Sequence, residues 1–275
     1  VIWAKSLDSD VLKAYEKGKG QFAGTEIAGK TLGVIGLGAI GIKIANAAEA
    51  LGMNVIGYDP FLTVNAAHKI SNTTEIVTDI KDMLGKCDYI TIHVPATDST
   101  KGMMNKEVFD RMKDGAIFLN FSRDKLVNDA DLMAAIDSGK IRKYVTDFAT
   151  DELLHYNNVI AIPHLGASSA EAEDNCATMA ALQTMDYIEN GNIVNSVNFP
   201  AVSLGAKTGT RIAVLSKAND TIISDVTAAL NAKNAVISNI ISKTKGNFAY
   251  TLVETPATVD SLEIANDSVI RVRII

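Results

Sequence analysis

Arg123, Glu152 and His164 stand at three separate points of this chain, each a few residues behind a short apolar run. Together they supply what hydride chemistry at a 2-hydroxy acid requires. Such a substrate carries a carboxylate and a reacting oxygen, and the planar fork of an arginine can hold both. As hydride leaves carbon, a proton leaves the hydroxyl, so a base with a pKa near neutrality is needed, and histidine is the natural choice. A carboxylate beside the ring fixes its orientation and favours its charged form; Glu152 is expected to do this for His164. In the reducing direction the His164 imidazolium would donate the proton. Taken singly, each residue also fits a solvated loop: Arg123 sits in Ser122-Arg-Asp-Lys125, Glu152 follows Asp151, and His164 follows Pro163. Their common place behind strands favours chemistry. Asp147 closes a further apolar run, and all four are expected at one crevice, because open parallel sheets bind ligands beyond the carboxyl ends of their strands.

The hydride carrier has its own signature. Gly36-Leu-Gly38-Ala39-Ile40-Gly41 lies between an apolar run and a helical stretch, and Asp59 ends the next apolar run about 18 residues on. The glycines alone are weak evidence; the strand before, the helix after and the acidic residue make them a dinucleotide grip. Gly36 permits a tight turn, Gly38 lets the backbone approach a pyrophosphate, and Gly41 lets the helix pack close to the sheet. The helix start offers free N–H groups and the positive end of its dipole to phosphate. Asp59 suits the adenosine ribose hydroxyls and would repel a 2′-phosphate. Pro60-Phe-Leu-Thr-Val-Asn65 brings no arginine to offset that charge, so NAD is expected rather than NADP.

A sheet must position these groups. Strands are predicted over 31–35, 54–58, 75–77, 88–94, 116–120, 144–146 and 159–162. Helical stretches lie between most of them, among them 130–138 and the one after the glycine turn, where Ile40, Ile44, Ala47 and Leu51 recur at helical spacing. This alternation indicates an α/β fold, a doubly wound parallel Rossmann-type sheet buried on both faces. Residues 1–15 read as an amphipathic helix with Leu7, Val11 and Tyr15 on one face, and 18–30 as a connecting loop. A long helix rich in Ala and Met is predicted over 168–189, ended by Asn190-Gly191, and a linker over 192–206. The pattern then changes to strand 211–215, helix 221–230, strands 235–242 and 248–253 joined by a turn at 244–247, helix 259–265 and strand 269–274. This βαββαβ order is that of a ferredoxin-like unit. The expected division is a linking helix over 1–20, a dinucleotide-binding domain over 21–167, a return helix and linker over 168–207, and a small domain over 208–275.

Composition narrows the function. Of 275 residues, 47% are hydrophobic and 21% charged, enough for a well-packed core. A net charge of -6 without a basic stripe argues against nucleic acid. Cys87 and Cys176 give neither a disulfide framework nor a metal site, and no His, Cys and carboxylate spacing suggests a metal. There is no GxSxG elbow for a serine hydrolase. No apolar stretch approaches the roughly 20 residues that span a bilayer, and no signal peptide is visible, so a cytoplasmic protein without a membrane partner is expected.

Residues 31–41, Gly57-Tyr-Asp-Pro60, His93-Val-Pro95, Lys101-Gly-Met-Met-Asn105, Phe118-Leu-Asn-Phe-Ser-Arg123 and Pro163-His-Leu-Gly-Ala-Ser168 resemble the D-isomer-specific 2-hydroxyacid dehydrogenases, a likeness that covers residues 1 to about 205. The resemblance implies NAD as cofactor and 3-phospho-D-glycerate as substrate. It makes Arg123 the substrate-carboxylate residue, Glu152 the partner and His164 the acid/base. It further implies that Asp147 holds the nicotinamide carboxamide and that His93, Val94 and Pro95 wall the adenine. Gly36, Gly38, Ala39, Ile40, Gly41, Asp59, Ser122 and Gly166 are the other implied cofactor contacts. Residues 190–200 resemble a family linker, and 208–275 resemble an ACT domain, which implies serine as a ligand and a homodimer or homotetramer. The family's N-terminal substrate lobe is not recognisable, so the sequence is expected to be a fragment, with 1–15 and 168–189 leading from and toward that lobe.

Three departures stand out. The usual Asn-x-x-Arg-Gly reads Asn120-Phe-Ser-Arg123-Asp124, the Pro after the Glu is Leu153, and the Pro-Gly of the ACT ligand loop is replaced in Lys217-Ala-Asn-Asp-Thr221. Two other readings keep the same motifs: a dehydrogenase for another 2-hydroxy acid such as D-2-hydroxyglutarate, and an NAD-sensing interaction protein like the transcriptional corepressors that share this fold. The ACT-like tail favours metabolism.

Overall fold

Thr31–Ile35 and Asn54–Tyr58 are too short for a stable helix, are apolar, and form strands. The computed structural model describes residues 2–7 and 10–275, which fall into two units, Val1–Leu165 and Gly166–Ile275. The first unit runs α1 (Ile2–Lys5), α2 (Val11–Gly18), β1 (Thr31–Ile35), α3 (Gly41–Ala50), β2 (Asn54–Tyr58), α4 (Val64–Ala67), β3 (Glu75–Val77), α5 (Lys81–Leu84), β4 (Tyr89–Ile92), α6 (Lys106–Arg111), β5 (Ala116–Asn120), α7 (Asp129–Asp137), β6 (Ile141–Thr146), α8 (Asp151–Leu154) and β7 (Val159–Ala161). Its seven strands form one parallel sheet in the order β3-β2-β1-β4-β5-β6-β7. This is the doubly wound Rossmann-type order, extended by one strand.

The larger core packs Ile90, Ile92, Phe118 and Tyr144 of the sheet with Met83, Leu84, Phe109, Leu132 and Ile136 of α5–α7. A second core packs β1 and β2 against α3. Here the helix forms as expected, but Ile40, Ile44 and Leu51 are exposed, and Gly41, Ile42, Ala45 and Ala48 face the sheet. Small side chains let α3 lie close to the strands, so the inward stripe is the one poorer in large residues. The N-terminal segment also differs from expectation: α1 and α2 are separate helices, and Val1, Asp8 and Ser9 lie outside the described residues. Asp10 precedes α2 in the left-handed region at φ 47°, a conformation short polar residues tolerate and a continuous helix does not. Trp3 packs against Tyr15 and Phe22, with ring centroids 5.5 and 5.0 Å away.

The second unit comprises α9 (Ala170–Asn190), β8 (Thr210–Lys217), α10 (Ile222–Asn231), β9 (Asn239–Lys245), β10 (Phe248–Thr255) and β11 (Val269–Ile274). Gly191, at φ 72°, caps α9. The four strands form an antiparallel sheet in the order β11-β8-β10-β9. One face carries α10, with Ile222, Val226 and Leu230 against Ile212, Val214 and Val253. The other packs Ala213, Tyr250 and Leu252 with Ile193 and Val202.

Two expectations fail in this unit. Residues 259–265 form no helix; Val259 and Leu262 reach the core from irregular chain. Seven residues containing Asp260 and Ser261, which compete for backbone hydrogen bonds, cannot sustain a helix by themselves. The strand expected from residue 235 begins at Asn239, because Ala235 still packs with α10. Among the described residues, no helix is long and apolar enough to cross a membrane.

Candidate active site

The order of winding reverses between β1 and β4, the position at which such sheets open a crevice beyond their carboxyl ends. The glycine turn leaves β1 there. Gly36 has φ 93°, and a Cβ at this position would lie 2.6 Å from the His93 carbonyl oxygen. Gly41 starts α3 against the Gly36 carbonyl with no room for a side chain, whereas Gly38 faces open space. The exposed Gly38, Ala39 and Ile40 have N–H groups without an acceptor among the described residues. These donors, at the positive end of α3, fit a phosphate.

Leu37 N–H donates to Asp59 Oδ2 (2.9 Å), and Phe61 N–H donates to Asp59 Oδ1 (2.8 Å). Asp59 thus ties the glycine turn to the loop after β2. Each carboxylate oxygen keeps acceptor capacity for a ribose hydroxyl. The donor row, the steric room at Gly38 and the carboxylate beyond β2 together fit a dinucleotide.

His93 divides between two places. Its carbonyl and the Val94 side chain border Gly36. Its ring lies 2.9 Å from Thr91 Oγ1, in an apolar recess on the sheet face among Leu32, Ile44, Met53 and Leu119. The ring itself is therefore not part of the glycine turn. Burial there holds the imidazole below its ordinary pKa of 6.5. Pro95 is exposed, and its carbonyl accepts from Thr100 Oγ1 at 2.6 Å.

The end of β5 positions Arg123. Asn120, fully buried, accepts from Ser122 N–H (3.0 Å) and donates to the Arg123 carbonyl (2.8 Å). Ser122 Oγ donates to the Ile92 carbonyl (2.8 Å), which pins the turn to β4. The Arg123 side chain is exposed, with its guanidinium 5.8 Å from the Phe148 ring centroid. The same ring meets His164 edge-on at 4.3 Å between centroids. Phe148 therefore stands between the arginine and the histidine. Its place directly after Asp147 was the only sequence signal for it.

His164 has Asp147 as its near carboxylate: Nδ1 and Oδ2 are 3.8 Å apart, with the histidine half-exposed and the aspartate buried. Asp147 Oδ1 is buried and has no hydrogen-bond partner among the described residues. Glu152, expected beside His164, lies on the exposed side of α8 and makes no ion pair with it among the described residues. The 3.8 Å separation is longer than a hydrogen bond and can close on ligand binding. Gly166 is exposed and begins the second unit.

A dinucleotide cradle at the switch point, followed along the sheet by an arginine, a carboxylate and a histidine, is the arrangement of a nicotinamide-dependent dehydrogenase. Comparison with known families agrees: the D-isomer specific 2-hydroxyacid dehydrogenase NAD binding domain matches residues 5–166. The chain belongs to this family, and NAD is its cofactor. D-3-phosphoglycerate dehydrogenase of Methanocaldococcus jannaschii is 39% identical over 203 residues, which cover 70% of this chain and 38% of that protein. The Bacillus subtilis D-3-phosphoglycerate dehydrogenase is 34% identical over 198 residues, 70% of this chain and 37% of that protein. The chain thus spans less than two-fifths of the length of these curated relatives. Among solved structures, cofactor (NAD+) bound 3-phosphoglycerate dehydrogenase of Entamoeba histolytica matches with a TM-score of 0.56 at 27% identity, over 64% of this chain and 57% of that one.

Proposed function

We propose that this chain is the cofactor-binding part of an NAD-dependent D-2-hydroxyacid dehydrogenase that oxidises 3-phospho-D-glycerate to 3-phosphohydroxypyruvate, the first step of serine synthesis. The observation that carries this reading is Phe148, flanked by Arg123 and His164 at the carboxyl edge of the sheet. When bound, NAD supplies the hydride acceptor. Gly38, Ala39 and Ile40 hold the pyrophosphate through backbone N–H groups, and Asp59 holds the ribose. Arg123 grips the substrate carboxylate and the 2-oxygen. His164 takes the hydroxyl proton during oxidation and returns it during reduction, oriented by Asp147 and, once ligand is bound, by Glu152. The substrate is supported by phosphoglycerate dehydrogenases to which the chain is more than 30% identical, those of Methanocaldococcus jannaschii and Bacillus subtilis among them.

The proposal extends to the second unit. Its antiparallel sheet and α10 are read as an ACT-like regulatory domain, with serine as the ligand at the loop between β8 and α10. There Asn219, Thr221, Asp225 and Asn266 form one hydrogen-bonded cluster. A cytoplasmic homodimer or homotetramer completes the reading. The test is NADH oxidation with 3-phosphohydroxypyruvate by the protein that carries this chain. His164→Ala should lower turnover by about 100-fold or more while NADH affinity holds. Unchanged turnover removes His164 from proton transfer, and absence of serine binding in calorimetry removes the regulatory part.

A further inference from the structure

Tyr144 is almost completely buried, yet it carries a hydroxyl into the core directly beneath the candidate site. Its ring stacks on Phe118, with centroids 5.3 Å apart and planes inclined by 23°. The stack fixes where the phenol sits. Asn120 Nδ2 donates to that phenol oxygen at 3.3 Å, and the Thr146 hydroxyl is its other polar neighbour. Each partner controls a different turn. Asn120 holds the turn after β5 through Ser122 N–H and the Arg123 carbonyl. Thr146 Oγ1 accepts from Phe148 N–H at 3.0 Å and so holds the turn after β6. Asp147 and Phe148, whose side chains both meet the His164 ring, belong to that second turn.

We propose that Tyr144 is a positioning residue whose hydroxyl joins the Arg123 turn to the Asp147–Phe148 turn, so that the carboxylate grip and the proton-transfer group keep one fixed relation. The inference rests on reading Arg123 as the carboxylate grip. A buried hydroxyl is costly unless it is hydrogen-bonded. Phenylalanine would fill the same volume and keep the stack on Phe118 without that cost. Packing therefore accounts for the ring, and the two turns account for the oxygen. The acceptor atoms of both partners are already engaged, the Asn120 carbonyl by Ser122 N–H and Thr146 Oγ1 by Phe148 N–H, which leaves the Asn120 amide and the Thr146 O–H to meet the phenol oxygen.

The test compares Tyr144→Phe with the parent in two ways. In the 275-residue chain, the backbone amide resonances of Arg123 and Phe148 should both shift, although neither side chain touches the phenol. In the protein carrying this chain, the KM for 3-phosphohydroxypyruvate should rise about tenfold, while the KM for NADH stays within about twofold. Thr146→Val removes the acceptor of Phe148 N–H directly, so its decisive effects are on the far turn: it should move the Arg123 amide and raise the oxo-acid KM, and Thr146→Ser should do neither; these two readings decide the matter if Tyr144→Phe fails to fold. Unmoved Arg123 and Phe148 amides, or two KM values that change alike with only a lower melting temperature, would make Tyr144 a core residue and overturn the proposal. Arg123→Lys separates the failures. If it raises the oxo-acid KM and Tyr144→Phe does not, the positioning role alone is wrong. If Arg123→Lys changes nothing, the reading of Arg123 is wrong and the positioning role falls with it.

Discussion

Asp147 Oδ2 lies 3.8 Å from His164 Nδ1, while Asp147 Oδ1 is buried without a partner. One carboxylate thus faces the histidine and also keeps a lone acceptor for an incoming N–H donor, such as the carboxamide of a nicotinamide. Buried acceptors are rarely left unpaired without a functional reason. Asp147→Asn removes the charge beside His164 and turns one acceptor into a donor. It should lower kcat/KM by about 100-fold, within the range of general acid–base groups. Glu152→Gln, on the exposed side of α8, should cost less than about tenfold. Steady-state kinetics of the two variants decide it, and the reverse order would make Glu152 the main orienting carboxylate.

The glycine turn separates binding from stability. Gly36→Ala forces a side chain onto a backbone at φ 93° and into the His93 carbonyl. It should cost about 1–3 kcal/mol of stability and weaken NADH binding as well. Gly38→Ala meets no atom within 4 Å, and its φ lies outside the left-handed region. Its stability should stay within about 0.5 kcal/mol of the parent. NADH affinity should nevertheless fall at least about tenfold, because the methyl occupies the approach of the pyrophosphate. Melting curves and NADH titration read the two effects apart; normal NADH affinity in Gly38→Ala would move the phosphate site elsewhere.

The parts most legible in the sequence were those governed by local chemistry. The strand, glycine turn, helix and Asp59 form one contiguous unit whose residues answer to neighbours in the chain. Relations across strands were not legible. Nothing in the order of residues says that Phe148 parts Arg123 from His164, or that Asp147 rather than Glu152 is the near carboxylate, since these depend on how β5, β6 and β7 stand side by side. Helical spacing of Ile40, Ile44, Ala47 and Leu51 gave the helix but not its inward face, because close approach to the sheet selected Gly41, Ala45 and Ala48. Residues 259–265 show the converse: apolar spacing without a helix, because the sheet supplies the burial that a helix would otherwise need.

His93 predicts a pH dependence of stability. Its folded pKa is depressed by burial, below the ordinary 6.5. The unfolded chain therefore takes up its proton first as pH falls. The stabilisation is fully present above about pH 6.5 and is lost as pH drops through the folded value. His93→Gln keeps a hydrogen-bonding group near Thr91 and removes the titration. Between pH 6.5 and 5 the melting temperature of the variant should fall less than that of the parent. Parallel curves would mean that His93 takes up its proton alike in the folded and the unfolded chain.

Arg211 predicts where the second unit is vulnerable. Its fully buried guanidinium donates to the carbonyls of Asn190 (2.9 Å) and Gly205 (2.7 Å) and to Glu254 Oε1 (2.9 Å). The same Glu254 oxygen accepts from Thr208 N–H at 2.7 Å. One cation thus ties the end of α9 and the chain before β8 to the middle of the sheet. The Thr208 N–H and the Arg211 charge hold Glu254 below its ordinary 4.5, so this stabilisation is present above that pH and lost as pH falls through the lower folded value. Arg211→Ala leaves Glu254 charged and the carbonyls of Asn190, Gly205 and Ala206, the last 3.3 Å from the guanidinium, short of a donor. It should cost about 3–5 kcal/mol, the usual effect of breaking a buried pair. Replacing both partners, Arg211→Met with Glu254→Leu, should recover the part of that loss due to the unpaired Glu254 charge, but not the part due to the backbone groups that both side chains served. Melting of the 275-residue chain in the presence and absence of NADH reads this directly. The transition that NADH does not raise should be the one that falls in Arg211→Ala, and a fall confined to the NADH-sensitive transition would break the argument.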